Sequence, residues 1–309
     1  MSAHTRGVAL VHALVIVAAL SALAVGLLAR AEGARLRIAH LRQSDQADLY
    51  LDAVARLAVL VLDQDFKDGA TDHTGEFWAG RDHSVPIDLG RAEGRITDLQ
   101  GRFNVNWLGA GGDAGTTARA AFGRLARAQG LAPWLVARLI DGLDPGNPQQ
   151  AMAMARGAGG SKPRPGPVLT IGELRLIEGM TDADLAWLAP LLAALPGQTP
   201  INANTVLPEV LAAFLPDVPV QVVRDALASR DQTPFESTAD FQTRMARRLS
   251  ERAQAALPMG RITVASDWFE ARIAAQLDMV DRRRTLILRR NPVDGATEIV
   301  LTLPAPEPD

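Results

Sequence analysis

Residues 8–29 read VALVHALVIVAALSALAVGLLA, and this apolar stretch decides the fold. As a helix it spans about 33 Å, at a rise of about 1.5 Å per residue. That length is enough to cross a bilayer core of about 30 Å. The sequence therefore predicts an N-terminal transmembrane helix.

The residues before this helix form a short polar leader, Met1 to Gly7, with Arg6 beside the glycine. A secretory signal peptide carries its small residues after the apolar segment, where the peptidase cuts. Here the conspicuous small residue, Gly7, precedes the segment, so a cut there would keep the helix as the new N-terminus. That arrangement is typical of pilins. The alternative is a plain membrane anchor, in which Gly7 is only a flexible residue.

Composition excludes several classes of chemistry. The chain of 309 residues has a formal net charge of -3, so no global field points to nucleic acid or to an anionic membrane. The absence of cysteine excludes disulfides, thiolate catalysis and cysteine-based metal sites. All five histidines lie at or before His83, so the rest of the chain has no histidine base or ligand. The length predicts about two domains outside the anchor.

Basic residues beside the apolar segment bear on its orientation in the membrane. The leader offers Arg6 and the terminal amine, whereas the other flank offers Arg30, Arg35, Arg37 and Arg42. By the positive-inside rule, this count alone places the C-terminal body in the cytoplasm.

The helix continues well beyond the apolar segment. No proline occurs before Pro86, and no glycine occurs between Gly33 and Gly69; these are the costliest residues inside a helix. Beyond Arg30, apolar residues recur mainly at steps of three and four. The sequence predicts one helix over about residues 8–66, roughly 90 Å long, with half in the membrane and half above it.

The rest of the chain changes its hydrophobic period twice. Alternation is strict in Trp268–Leu277, which predicts a half-buried antiparallel strand. Shorter patterns predict strands at 85–89, 95–105, 284–289 and 298–303, a glycine-rich loop at 109–115, helices between 116 and 257 with N-caps at Thr170, Thr181 and Thr205, and a loop at 144–169.

The predicted fold class is α+β: a long N-terminal helix with a small antiparallel sheet, interrupted by a large inserted all-helical domain. The predicted units are the leader 1–7, the transmembrane and stem helix 8–66, the first strands 67–113, the helical domain 114–257 and the last strands 258–309.

Four stretches occur in an order that a known family shares. Arg6-Gly7 followed by Val8 is similar to a prepilin-peptidase site. The other three are GRITDLQGRFNVN at 94–106, ELRLIEGM at 173–180 and TPINANT at 199–205. With these motifs the chain resembles the general secretion pathway protein K family, the minor pseudopilins of type II secretion, over essentially its whole length.

The resemblance implies a pilin-like fold and a concrete role. Members are inner-membrane proteins that the prepilin peptidase cuts, here between Gly7 and Val8, and whose new N-terminus is methylated. They cross the bacterial inner membrane once, with the body in the periplasm. They join other minor pseudopilins at the tip of a filament that works with an inner-membrane platform to export folded proteins, and the helical domain caps the tip. This orientation is opposite to the one that the arginines indicate.

His12 is the fifth residue after the proposed cut. The resemblance implies that this position lacks the glutamate that most pilins use to pair with a neighbour's N-terminal amine. A tip subunit has no neighbour above it whose N-terminal amine would need a negative partner. Either His12 is a tolerated neutral residue, or it has a specific pairing role.

Calcium is the one cofactor that the resemblance implies. Relatives carry carboxylates across the loop that follows Asp141 and Asp144, and clusters of hard oxygen ligands suit calcium. This chain has both aspartates but no further acidic residue until Glu173. Two carboxylates three apart at a helix end also occur as solvated or capping residues.

Two other function classes compete with this interpretation. Ile201 to Thr205 before a helix also resembles the start of a helix-hairpin-helix module, which would make the chain a membrane-anchored DNA-binding protein. However, Pro216-Asp217-Val218-Pro219 stands where flexible glycines are needed, and only Arg224 and Arg230 are nearby. An enzyme is disfavoured, because the sequence has no phosphate loop, no nucleophile elbow and no pair of histidine ligands on a helix.

Overall fold

The structure, a computed structural model, describes residues 3–143, 167–278 and 280–304. Its first element is helix α1, Ala3–Asp68, with 66 residues and a length of about 100 Å. It begins before the predicted start near residue 8 and ends at Asp68. The N–H of Gly69 donates to the carbonyl oxygen of Asp65 at 3.1 Å and closes the last turn.

Five strands form the main sheet. Their bounds are β1 His83–Ile87, β2 Gly90–Asp98, β7 Trp268–Leu277, β8 Val280–Arg290 and β9 Thr297–Pro304. They lie in the order β1-β2-β7-β8-β9, and each neighbouring pair is antiparallel. The alternation that predicted β7 is confirmed, because every second residue from Phe269 to Leu277 is buried.

The upper half of α1 packs on one face of this sheet. The buried side chains on the helix follow one stripe: Ala47, Leu51, Ala55, Ala58 and Leu62. They meet the inward residues of β7 and β8, among them Phe269, Ile273 and Leu288. Ion pairs fix the register, since Arg284 contacts Asp48 at 2.8 Å and Asp52 at 2.6 Å.

A block of helices lies between β2 and β7 in the chain. Its helices are α2 Gly112–Ala128, α3 Pro133–Leu143, α4 Asp182–Leu188, α5 Pro208–Phe214, α6 Val220–Leu227, α7 Thr238–Ala246 and α8 Glu251–Ala255. Two parallel strand pairs accompany them: β3 Phe103–Asn104 with β4 Leu192–Ala193, and β5 Ile201–Asn202 with β6 Ile262–Thr263. This helical block has its own core, where the rings of Phe103 and Trp107 meet at 5.2 Å. The predicted α+β fold class is thereby confirmed.

Three local predictions were wrong. The glycines at 109–115 do not form one loop, because α2 begins at Gly112. Gly115 lies inside α2, where a β-carbon would come within 1.7 Å of the Ala110 carbonyl oxygen, so close packing requires the glycine. The strand predicted at 95–105 begins at Gly90 and ends at Asp98. Thr205 caps no helix, because α5 begins at Pro208.

Candidate functional site

The lower part of α1 presents apolar side chains on all sides. Within the described residues, α1 is long and apolar enough to cross a membrane, with a mean hydropathy of 2.3 in its most apolar window. From Leu14 to Leu28 every residue is exposed. Gly7 and Val8 lie in the first turns of α1, and His12 is exposed one turn later. A helix that is apolar all round needs an apolar environment.

The upper half of α1 carries a second apolar stripe on the side away from the sheet. Leu49, Ala53, Leu57 and Leu60 follow one another at steps of four and three and are all exposed; we call them the outer stripe. Leu49 is 69% exposed, whereas Leu51, two residues on and facing the sheet, is 1% exposed. An exposed apolar row of this kind marks a surface for association.

Two of the motifs meet in space at the junction between the sheet and the helical block. Asp98, at the end of β2, is buried and accepts hydrogen bonds from Asn202 Nδ2 at 3.2 Å and from Thr205 Oγ1 at 2.5 Å. Ser266 Oγ donates to the same carboxylate at 2.7 Å, and the backbone N–H of Gln100 donates at 2.7 Å. Burial raises the pKa of Asp98, against the effect of these four donors.

Arg290 is the cation beside this junction. It is 3% exposed and contacts Asp72 at 2.5 Å and Asp65 at 3.0 Å, and it also donates to the Ser266 carbonyl oxygen. Burial raises the pKa of Asp72 to about 7, against the opposing charge of Arg290. A buried arginine that binds two carboxylates fixes the relative positions of the three side chains, because its N–H groups have defined acceptors.

The other asparagines of the motifs are also held in place. Asn204 binds the backbone of Phe235 through both ends of its amide, at 2.7 and 3.1 Å. Asn106 donates to the carbonyl oxygens of Val168 and Leu195, each at 2.9 Å. These side chains act on the backbone rather than on a ligand. These asparagines lie in motifs that carry the family resemblance, but the sequence alone indicated no structural role for them. The only indication in the sequence was that polar amides stand among apolar residues.

The predicted calcium ligands are not brought together in the described part of the chain. Asp141 is exposed in the last turn of α3, and Asp144 lies outside the described residues. Glu173, the next acidic residue, accepts from the backbone N–H groups of Leu169 and Thr170 at 2.9 and 2.8 Å. Calcium takes about six to eight oxygen ligands. Because Asp144 and most of this loop lie outside the described residues, the calcium site stays a prediction.

A second group of carboxylates lies elsewhere. Oxygens of Asp65, Asp72 and Glu76 lie within 4.8 Å of one another. Arg290 already binds the first two, so a protein cation stands where a metal ion would have to bind.

The DNA-binding alternative requires a basic face near α6, and the two arginines that the sequence offers there are not free to form one. Arg224 contacts Glu209 at 2.7 Å. Arg230 is largely buried and donates to the Ala203 carbonyl oxygen at 2.8 Å, and this burial lowers its pKa to about 10. Both arginines are engaged within the protein.

Comparisons with known proteins agree with one another. Two family models, both described as "Type II secretion system (T2SS), protein K", match residues 101–197 and 201–258. Type II secretion system protein K of Pseudomonas aeruginosa is 29% identical over 91% of this chain and 87% of its own length. The protein of the same name from Aeromonas hydrophila is 29% identical over 88% of this chain and 88% of its own length.

One solved structure is similar in fold. It is a chain of the GspK-GspI-GspJ complex from the type 2 secretion system of enterotoxigenic Escherichia coli, with a TM-score of 0.73 and 20% identity. The match covers 88% of this chain and all of that chain.

Proposed function

Since the chain belongs to the protein K family of the type II secretion system and is a minor pseudopilin, we propose that it caps the tip of the periplasmic pseudopilus. There it helps to initiate assembly of the filament that exports folded proteins. The observation that carries the proposal is the helical block, which enters the chain between β2 and β7 and has its own core. A head-to-tail filament ends where one face of a subunit is obstructed.

The outer stripe is the surface that we assign to lateral partners. Leu49, Ala53, Leu57 and Leu60 continue the line of the membrane helix, so a neighbour anchored in the same membrane would run beside them. The partners are other minor pseudopilins; the related structure is itself a complex of three such proteins. The prepilin peptidase and the inner-membrane secretion platform are the further partners of this proposal.

The proposed location is the bacterial inner membrane, crossed once, with the body in the periplasm. Among the residues that the structure describes, one helix, at the N-terminus, is long and apolar enough to cross a membrane, which supports a single anchor. The arginines at positions 30, 35, 37 and 42 favour the opposite orientation. Membership of the secretion family supports the periplasmic location, because pseudopilus assembly takes place on that side of the membrane.

The residues that this proposal assigns to processing and to filament formation lie at the start of α1. The peptidase cuts between Gly7 and Val8, and Val8 is then methylated. His12 stands where most pilins have a glutamate, and a tip subunit has no amine above it to neutralise. Asp141 and Asp144 remain the predicted calcium ligands, and no step of the proposal depends on calcium. The role is structural rather than catalytic.

Tip capping can be tested by labelling, because the chain has no cysteine. Trp187 is an exposed residue of α4, and Trp187→Cys would give one reactive thiol on the helical block. Gold coupled to that thiol should appear at one end of isolated pseudopili in electron micrographs. The cysteine-free parent should carry no gold. Labels along the filament length would contradict the proposal.

A further inference from the structure

The end of α1 is joined to the sheet by a cluster of charged side chains from three elements. Asp65 comes from α1, Asp72 and Glu76 come from the segment 69–80, and Arg290 comes from β8; we call these four residues the latch cluster. All four side chains are mostly buried.

The three carboxylates of the latch cluster do not share the Arg290 guanidinium equally. Arg290 contacts Asp65 and Asp72, at 3.0 and 2.5 Å. In the described part of the chain, Glu76 has no arginine hydrogen bond and accepts from the backbone N–H of His73 at 3.0 Å. One guanidinium therefore faces three carboxylates, whose oxygens lie within 4.8 Å of one another.

The His73 ring does not correct this imbalance. Its Nε2 is 3.8 Å from Glu76, but its Nδ1 accepts the N–H of Gly75 at 3.1 Å. A nitrogen that accepts a hydrogen bond carries no proton, so the ring is in its neutral form. Burial also lowers the pKa of His73.

The groups behind the latch cluster add negative charge. Asp98 faces Asp72 from β2, and Asp267 faces Arg290 from the connection before β7. Arg289 acts on Asp267, from the opposite face of β8. Lys67 lies in the last turn of α1 and is exposed. Three ionised carboxylates close together in a buried place repel one another strongly.

We propose that Glu76 carries a proton at neutral pH and that this proton fastens the segment 69–80 to the end of α1, so that the junction loosens when the proton leaves. Of the two carboxylates on this segment, Asp72 keeps its negative charge more readily, because the Arg290 guanidinium and the Ser266 N–H both donate to it. Glu76 is the remaining carboxylate and takes the proton. Burial, with the charges of Asp65 and Asp72, raises its pKa to about 8.

The segment 69–80 also holds the helical block, so the consequence is not local. The Asp72 N–H donates to the Val264 carbonyl oxygen at 3.0 Å, and the Asp72 carbonyl oxygen accepts from Asn202 at 3.0 Å. At the other end of the segment, the Gly80 N–H donates to the carbonyl oxygen of Ile96 in β2 at 2.8 Å, which joins the segment to the main sheet. Deprotonation of Glu76 would therefore loosen the attachment of the helical block to the stem.

The test is thermal unfolding of the full chain in detergent between about pH 5 and about pH 9. Unfolded Glu76 releases its proton near 4.5, whereas the folded chain holds it until about 8. The unfolded state binds fewer protons in that window, so stability falls as the pH rises. In Glu76→Gln the amide replaces the protonated acid and does not titrate. Relative to this variant, the ratio of folded to unfolded wild-type protein should fall by up to about tenfold for each pH unit, until about pH 8.

Hydrogen exchange locates the effect. At about pH 9, amides in 69–80 should exchange faster in the wild type than in Glu76→Gln, and at about pH 6 the two should agree. The control is Glu236→Gln, the same change at an exposed position of the helical block, which should leave the exchange of amides in 69–80 as it is in the wild type.

A Tm difference between Glu76→Gln and the wild type that does not change with pH would overturn the proposal. So would equal exchange of 69–80 at high pH. If Glu76→Gln does not fold, Asp65→Asn removes one neighbouring charge. In this variant, stability should level off at a lower pH than in the wild type. An unchanged dependence of stability on pH would also overturn the proposal.

Discussion

The side-chain amide of Asn202 donates to the carboxylate of Asp98 at 3.2 Å, across the boundary between the helical block and the main sheet. The same amide donates to Ser266 Oγ at 2.8 Å and to the Asp72 carbonyl oxygen at 3.0 Å. One buried side chain thus contacts β2, the segment after α1 and the connection into β7. The position of the helical block depends on this residue.

Replacing Asn202 should destabilise the chain in a set order. Asn202→Ala removes the donor and leaves buried acceptors unsatisfied, at about 1–3 kcal/mol. Asn202→Asp keeps the shape but places a second carboxylate against buried Asp98, at about 3–5 kcal/mol. Chemical denaturation of the full chain in detergent gives both values. Gln221→Ala, an exposed amide change, should stay within about 0.5 kcal/mol, and a smaller loss for Asn202→Asp than for Asn202→Ala would contradict the geometry.

Alanine substitutions of Arg290 and of its neighbour Arg289 compare a buried arginine with an exposed one. Arg290→Ala leaves Asp65 and Asp72 without their cation and should cost about 3–5 kcal/mol. Arg289 lies on the opposite face of β8, half-exposed and 3.7 Å from Glu298, so Arg289→Ala should cost about 1 kcal/mol or less. Arg290→Lys should recover only part of the loss, because lysine lacks the planar fork. Equal losses for the two alanine variants would show that burial of Arg290 contributes little.

The two apolar faces of α1 should separate stability from association. Leu51→Ala opens a cavity against the sheet and should cost about 2–5 kcal/mol. Leu49→Ala with Leu57→Ala alters only the outer stripe, so the Tm should hardly change. Co-purification with the other minor pseudopilins should fall in this double variant. Undiminished co-purification would show that the partners use another surface.

Processing should depend on Gly7. The mature wild-type chain should begin at methylated Val8 and hold 302 residues, the 309 of the full sequence less the seven of the leader. Gly7→Val should block the cut and leave the full chain, as mass spectrometry of the membrane extract would show. Gly26→Val is the matched control, since a β-carbon there meets nothing within 4 Å, and it should be cut normally. A mature wild-type chain that begins at Met1 or near Arg30 would contradict the pseudopilin site.

Local patterns predicted the elements whose burial is regular. The strand Trp268–Leu277 has the predicted bounds. The start of β2 could not be predicted, because Gly90, Arg91 and Ala92 show no alternation. Gly90 belongs to the strand for a tertiary reason: a β-carbon there would come within 1.8 Å of the Gln276 carbonyl oxygen.

The junction was beyond the reach of sequence periodicity for a different reason. Asp98 and Asn202 lie in motifs that the resemblance singled out, but hydrophobic periods describe one element at a time. The contacts between these residues join parts of the chain that are 104 positions apart. Arg290 lies one residue beyond the strand predicted at 284–289, and its contact with Asp72 spans 218 positions. Neither pairing leaves a local signal.

The unbroken course of α1 has a mechanical consequence. The helix runs for 66 residues without an interior proline, a usual cause of a sharp kink. Because Asp65, in its last turn, is tied to Arg290, and Arg290 to Asp72, the rod ends in the network that holds the helical block. An axial push at the membrane end would therefore lift the block by the same distance, with no slack between the two.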